Sequence, residues 1–174
     1  GSLLAALVGE HATLRPLTEL PFDTHLMVLE PDRHIEQFIL AGSGTVTVHP
    51  EACTHLLRTL QLIRSFEGVN TGVALNPATS PVLIEPILDY IDQVTVMTVN
   101  PGFGGQPFLE PMLRKIEGVR LMIDARGLDT RIAVDGGLSP DNIRSLVNLG
   151  VDIVVGGGSS VFLNGRHYTD TIGE

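Results

Sequence analysis

His25 and Asp135 are the side chains in this sequence whose types first suggest chemistry. Each stands at the carboxyl end of a short apolar run, and an imidazole with a carboxylate is a suitable pair of donors for one divalent ion such as zinc, manganese, cobalt or iron. Two donors fall short of the three protein ligands of a catalytic metal centre, so a hydrogen-bonded histidine near a strand end is the competing explanation of His25. His49 with Glu51 is a further candidate pair, or a shaped strand exit. Gly136-Gly137, followed by a helix opening near Pro140, and Gly158-Ser159, after the last apolar run, present backbone N–H groups without a Cβ in the way, as an anionic ester requires. Gly102-Phe103-Gly104-Gly105-Gln106 has the composition of a mobile lid that shuts water out of a reactive intermediate. Met27 and Met97 fall beside these positions, where a thioether either lies against a planar intermediate or simply fills the core.

What is missing narrows the chemistry. The only lysine, Lys115, falls in a helical pattern and not at a strand end, so a Schiff-base mechanism has no nucleophile. Cys53 has His55 nearby but no third group, and a lone cysteine makes no internal disulfide. Proton transfer is left. With 20 acidic and 11 basic residues, a net charge of −9 and no basic run, the chain is not one that wraps nucleic acid. Oriented amides and a helix terminus still let so acidic a chain hold a phosphate. Hydrophobic residues make up 43% of the sequence, in runs short of the ~20 that cross a bilayer, and no leader pattern opens the chain. A folded cytoplasmic protein with a small-molecule partner, and with neither nucleic acid nor membrane as partner, is expected.

The elements that must position these residues form a repeat. Six apolar runs, at 22–28, 45–49, 71–76, 93–100, 131–135 and 152–156, are of strand length and lack strict alternation, as strands buried on both faces do. Helical spacing lies between them: Ile35, Phe38 and Ile39; Leu56, Leu60 and Ile63; Leu83, Ile87 and Leu88; Met112, Ile116, Val119 and Ile123; Ile143, Leu146 and Val147. Pro31-Asp32, Thr54 and Ser139-Pro140 are the expected helix starts. The strands recur at about one βα unit, with a longer fourth interval that holds the glycine loop. A single α/β domain over 1–174 follows, either an open doubly wound sheet or a barrel. Polar residues close all six runs, which favours the (β/α) barrel, since an open sheet gathers its ligand groups at one switch point.

Quoted in order, the strand ends carry a resemblance. Asp23-Thr24-His25-Leu26-Met27-Val28, His49-Pro50-Glu51-Ala52, Leu75-Asn76-Pro77-Ala78-Thr79, Met97-Thr98-Val99-Asn100-Pro101-Gly102-Phe103-Gly104-Gly105-Gln106, Val134-Asp135-Gly136-Gly137 and Gly158-Ser159-Ser160-Val161-Phe162 are similar to the ribulose-phosphate 3-epimerases, over about residues 20 to 165. The resemblance implies a TIM (β/α)8-type barrel that interconverts D-ribulose 5-phosphate and D-xylulose 5-phosphate, in the pentose phosphate pathway, by moving the C3 proton. One divalent metal ion would steady the enediolate. By position, His25 would be a metal ligand that touches substrate, and Asp135 a metal ligand and proton donor. Gly102, Phe103, Gly104 and Gly105 would form the lid; Gly136, Gly137, Gly158 and Ser159 would hold the phosphate; Met27 and Met97 would line the plane of the intermediate.

The departure from the family is equally specific. Its members begin with two further βα units, the first with a substrate-binding serine and the second with a His-x-Asp pair that supplies two metal ligands and the opposing proton acceptor. Neither motif occurs in this sequence, so the expectation is six of eight units, the first two strands absent, and impaired epimerisation by this chain alone. Two unpaired sheet edges would invite swapping or aggregation, and a homo-oligomer is the expected assembly. Two other readings compete: epimerisation of allulose 6-phosphate at the same site, and a catalytically silent sugar-phosphate-binding barrel fragment.

Overall fold

Six strands, with a helical or loop return after each of the first five, run through the computed structural model, which describes residues 3–157 and Val161. They are β1 (Phe22–Leu26), β2 (Ser43–Val48), β3 (Asn70–Leu75), β4 (Gln93–Met97), β5 (Arg131–Asp135) and β6 (Ile153–Val155). The helices are α1 (Leu3–Leu14), α2 (Ile35–Leu40), α3 (Leu56–Arg64), α4 (Met112–Ala125) and α5 (Pro140–Asn148). The α/β class and the six parallel strands of (β/α)8-barrel type are those the sequence implies. The chain divides into two compact units, 1–73 with 90–92 and 74–89 with 93–174. No described helix is long and apolar enough to cross a membrane.

In the first unit β1 pairs with β2 and β2 with β3, all parallel, with a register shift between Phe22 and Asp23. Val46 and Val48 are fully buried, as strands covered on both faces require, and α3 turns Leu60 and Ile63 inward at helical spacing. Asp92, just ahead of β4, accepts the Thr71 backbone N–H at 2.7 Å and its hydroxyl at 2.9 Å, which closes the open start of β3. A second carboxylate does the same in the other unit: Asp152, ahead of β6, accepts the Ile132 N–H at 2.7 Å. Acidic residues at the amino ends of the strands are thus spent on backbone donors.

His11 fastens α1 to this unit. The Ser43 hydroxyl donates to the Phe38 carbonyl at 2.8 Å and lies 2.6 Å from Thr24 Oγ1 and 3.1 Å from His11 Nε2, so the imidazole N–H donates to an oxygen already donating elsewhere. The ring sits edge-on to Phe22 and Phe38, with centroids 4.5 and 5.9 Å away. Burial, and then the nearby Arg15 charge, push the His11 pKa below its ordinary 6.5. A depressed histidine pKa means that the unfolded chain binds the proton more readily, so this contribution to stability is present above about pH 6.5 and is lost as pH falls from there towards the folded value. The gap in thermal midpoint between the parent and His11→Gln, which keeps a donor but does not titrate, should therefore change as pH is lowered from 7.5 through ~6.5. A constant gap would show that His11 is not the titrating group.

In the second unit β4, β5 and β6 run parallel in that order. Four residues of α4 at helical spacing, Met112, Ile116, Val119 and Ile123, are buried, each contributing on the order of 1.5–3 kcal/mol relative to exposure. The last helix starts as the sequence indicates, with Pro140 in its first turn and the Ser139 N–H donating to Asn142 Oδ1 at 2.9 Å. Three expectations fail locally. Pro31-Asp32 opens a 3-10 turn, Pro31–Arg33, and α2 starts only at Ile35, after His34 with no side-chain cap bond. Thr54 is not the cap of α3, whose boundary residue is His55 with no side-chain cap bond. The pattern Leu83, Ile87, Leu88 is not an α-helix but two 3-10 turns, Pro81–Leu83 and Glu85–Tyr90; Pro81 and Pro86 remove two amide donors from a segment too short to propagate a helix without them.

Candidate functional site

In the first unit His25 is the penultimate residue of β1, and its Nε2 lies 2.8 Å from Nε2 of His49, which follows β2 and is 5% exposed. The rings are stacked at 4.9 Å, 19° from parallel. One Nε2 carries the hydrogen and the other accepts it, so the two rings share a single hydrogen bond. Glu51 Oε2 stands 3.9 Å from His49 Nδ1, beyond hydrogen-bond length. Parallel pairing sets His25 opposite Thr47, so the two histidines close neighbouring strands at the same end. Met27, just past β1, is half-exposed, and Glu30 takes a left-handed backbone at the following turn, with φ 52°. Cys53 is half-buried, its thiol donates to the His49 carbonyl at 3.3 Å, and desolvation pushes its pKa up, which leaves it a poor nucleophile.

In the second unit Asp135 is the last residue of β5, opposite Met97 at the end of β4. Met97 is 1% exposed and packs in the core. After Asp135 the chain turns through Gly136 and Gly137, with φ 121° and 64°. A Cβ at Gly136 would fall 2.4 Å from Val99 Cγ2, so only glycine brings this turn so close to the residues after β4. The glycine loop leaves the same end. Gly102 and Gly105 have φ of 131° and 77°, nothing lies within 4 Å of a Cβ at 102, 104 or 105, and Phe103 is 72% exposed. Open surroundings and an exposed aromatic are what a lid awaiting a ligand needs. The Gln106 amide bridges the loop by donating to the carbonyls of Asn100 at 2.6 Å and Phe103 at 2.9 Å.

Lys115 has a role that its place in a helix did not reveal. From α4 its ammonium donates to three carbonyls, those of Asn76, Pro77 and Thr79, at 2.7 to 2.9 Å. That cation fixes the loop after β3. Gly158 and Ser159 lie outside the described residues. Among the described residues no group of three or more His, Cys, Asp or Glu side chains is arranged to hold a metal ion.

A family model described as "Ribulose-phosphate 3 epimerase family" matches residues 7–162. The chain belongs to this family. Ribulose-phosphate 3-epimerase of Bacillus subtilis is 48% identical over 145 residues, 83% of this chain and 66% of the relative. The chloroplastic ribulose-5-phosphate-3-epimerase of Arabidopsis thaliana is 44% identical over 161 residues, 91% of this chain and 56% of the relative. The chain thus spans under two thirds of the length of these two epimerases. Among solved structures, a mutant tryptophan synthase alpha-subunit from Pyrococcus furiosus superposes with a TM-score of 0.70 at 18% identity, over 99% of this chain and 71% of that one. A 3-hexulose-6-phosphate synthase superposes at 0.69 and 15%, over 95% and 77%. At such identities the likeness bears on the fold, and both are barrel proteins of the expected type.

Proposed function

We propose that this chain carries the C3 proton-transfer apparatus of a ribulose-phosphate 3-epimerase, acting on D-ribulose 5-phosphate and D-xylulose 5-phosphate. The observation that carries the reading is Asp135 at the carboxyl end of β5, immediately ahead of two glycines in left-handed conformations, within a family match that spans 7–162. The C3 hydrogen lies beside a carbonyl, so its removal leaves an enediolate and not an isolated carbanion, and a carboxylate within reach takes or returns it. Gly136 and Gly137 would offer backbone N–H groups to the phosphate, and the loop 102–105 would close over the sugar and exclude water. Inversion needs a proton taken from one face and delivered to the other; Asp135 serves one face. The His-x-Asp pair that the family resemblance assigns to the opposite face does not occur in this sequence.

The imidazole of His25 and the carboxylate of Asp135 are each fit donors for a divalent ion in this family's chemistry. A divalent ion held by such donors would steady the charge of the enediolate, and the proton itself is assigned to Asp135. The test is exchange of the C3 hydrogen of D-ribulose 5-phosphate and, separately, of D-xylulose 5-phosphate in deuterated water, followed by NMR, alongside a coupled assay for net interconversion; a single carboxylate exchanges the epimer that turns its C3 hydrogen to that face. Exchange that outpaces net epimerisation is the expected result. Binding of the sugar phosphate with no exchange would instead make the chain a binding fragment.

A further inference from the structure

Thr98 is 0% exposed, sits one residue beyond β4, and spends every polar group it has on the turn that follows Asp135 or on the root of the glycine loop. Its N–H donates to the Asp135 carbonyl at 2.9 Å, and its carbonyl accepts the Leu109 N–H at 2.9 Å. Its hydroxyl reaches two consecutive carbonyls, that of Asp135 at 3.0 Å and that of Gly136 at 2.5 Å. Along a strand consecutive carbonyls point to opposite sides; here both converge on one hydroxyl, which the φ of 121° at Gly136 permits.

The peptide between Gly136 and Gly137 has glycine on both sides, so no side chain resists its rotation. The Thr98 hydroxyl, 2.5 Å from the Gly136 carbonyl oxygen, holds this peptide in the orientation seen. In a planar trans peptide the N–H points opposite to the C=O. Drawing the Gly136 carbonyl onto Thr98 therefore turns the Gly137 N–H outward, away from Thr98. We propose, on the sugar-phosphate reading above, that Thr98 is a positioning residue: through its hydroxyl it aims the Gly137 amide at the substrate's phosphate while holding the backbone of Asp135 in place.

The experiment compares Thr98→Val, which keeps the shape and loses the hydroxyl, with Thr98→Ser, which keeps the hydroxyl and loses a buried methyl. Both are made in the full chain. Inorganic phosphate and D-ribulose 5-phosphate are titrated while the Gly137 amide is followed by 15N NMR, and each thermal midpoint is measured. Both variants lose stability, but binding should separate them: Thr98→Val weakens phosphate about tenfold, as loss of one charge-assisted hydrogen bond does, while Thr98→Ser stays within about threefold of the parent. Should Thr98→Val fail to fold, Thr98→Ala against Thr98→Ser makes the same comparison, since both lack the methyl. Phosphate binding that is unchanged without the hydroxyl, or that falls only in step with stability, overturns the inference. A parent chain whose Gly137 amide ignores both ligands overturns the sugar-phosphate reading itself.

Discussion

Asp135→Asn should lower C3 hydrogen exchange by about 10²–10⁴-fold, the usual worth of a positioned general acid or base, while shifting the thermal midpoint by only a few degrees. The substitution keeps the side chain's size and removes its ability to carry a proton. The backbone at this position has its own bonds: the Asp135 carbonyl accepts the Thr98 N–H and hydroxyl, and β5 is paired on both sides, with β4 and β6. Exchange measured by NMR isolates the proton step from any later loss of configuration. Retention of most of the parent exchange rate by Asp135→Asn would transfer the proton to another group and remove the central assignment.

Much of this arrangement is legible in the sequence because it is local. The apolar runs mark all six strands, and Ser139-Pro140 marks the start of α5, since burial on both faces and helix capping each act within a few residues. The family motifs fall at the strand ends for the same reason. What escapes a linear reading is pairing between distant residues. His25 and His49, Thr98 and Gly136, and Lys115 with the carbonyls after β3 are 24, 38 and 36 to 39 residues apart, and nothing in their local spacing announces the partner. The two 3-10 turns between β3 and β4 escaped for a different reason: apolar spacing suggests a helix, but the donors lost at Pro81 and Pro86 decide the outcome.

Substitutions to alanine along the glycines of the second unit should separate three roles that the residue type alone does not distinguish. Gly104→Ala meets open space without a left-handed backbone and should change stability by no more than about 0.5 kcal/mol. Gly105→Ala also meets open space but has φ 77°, so it should cost about 1–2 kcal/mol, the penalty for a Cβ in that region. Gly137→Ala combines a φ of 64° with a Cβ 2.5 Å from the Phe108 amide nitrogen and 2.9 Å from the Gln106 carbonyl oxygen. Those are backbone atoms, so no rotamer change relieves the overlap, and the loop root at 106–108 must move bodily. A loss of at least about 3 kcal/mol in urea unfolding is expected, with weaker sugar-phosphate binding because the displaced segment anchors the glycine loop. Gly137 is thus required for the close approach of two backbones. Equal costs at 105 and 137 would show that the loop root yields freely, and the two segments would then be independent.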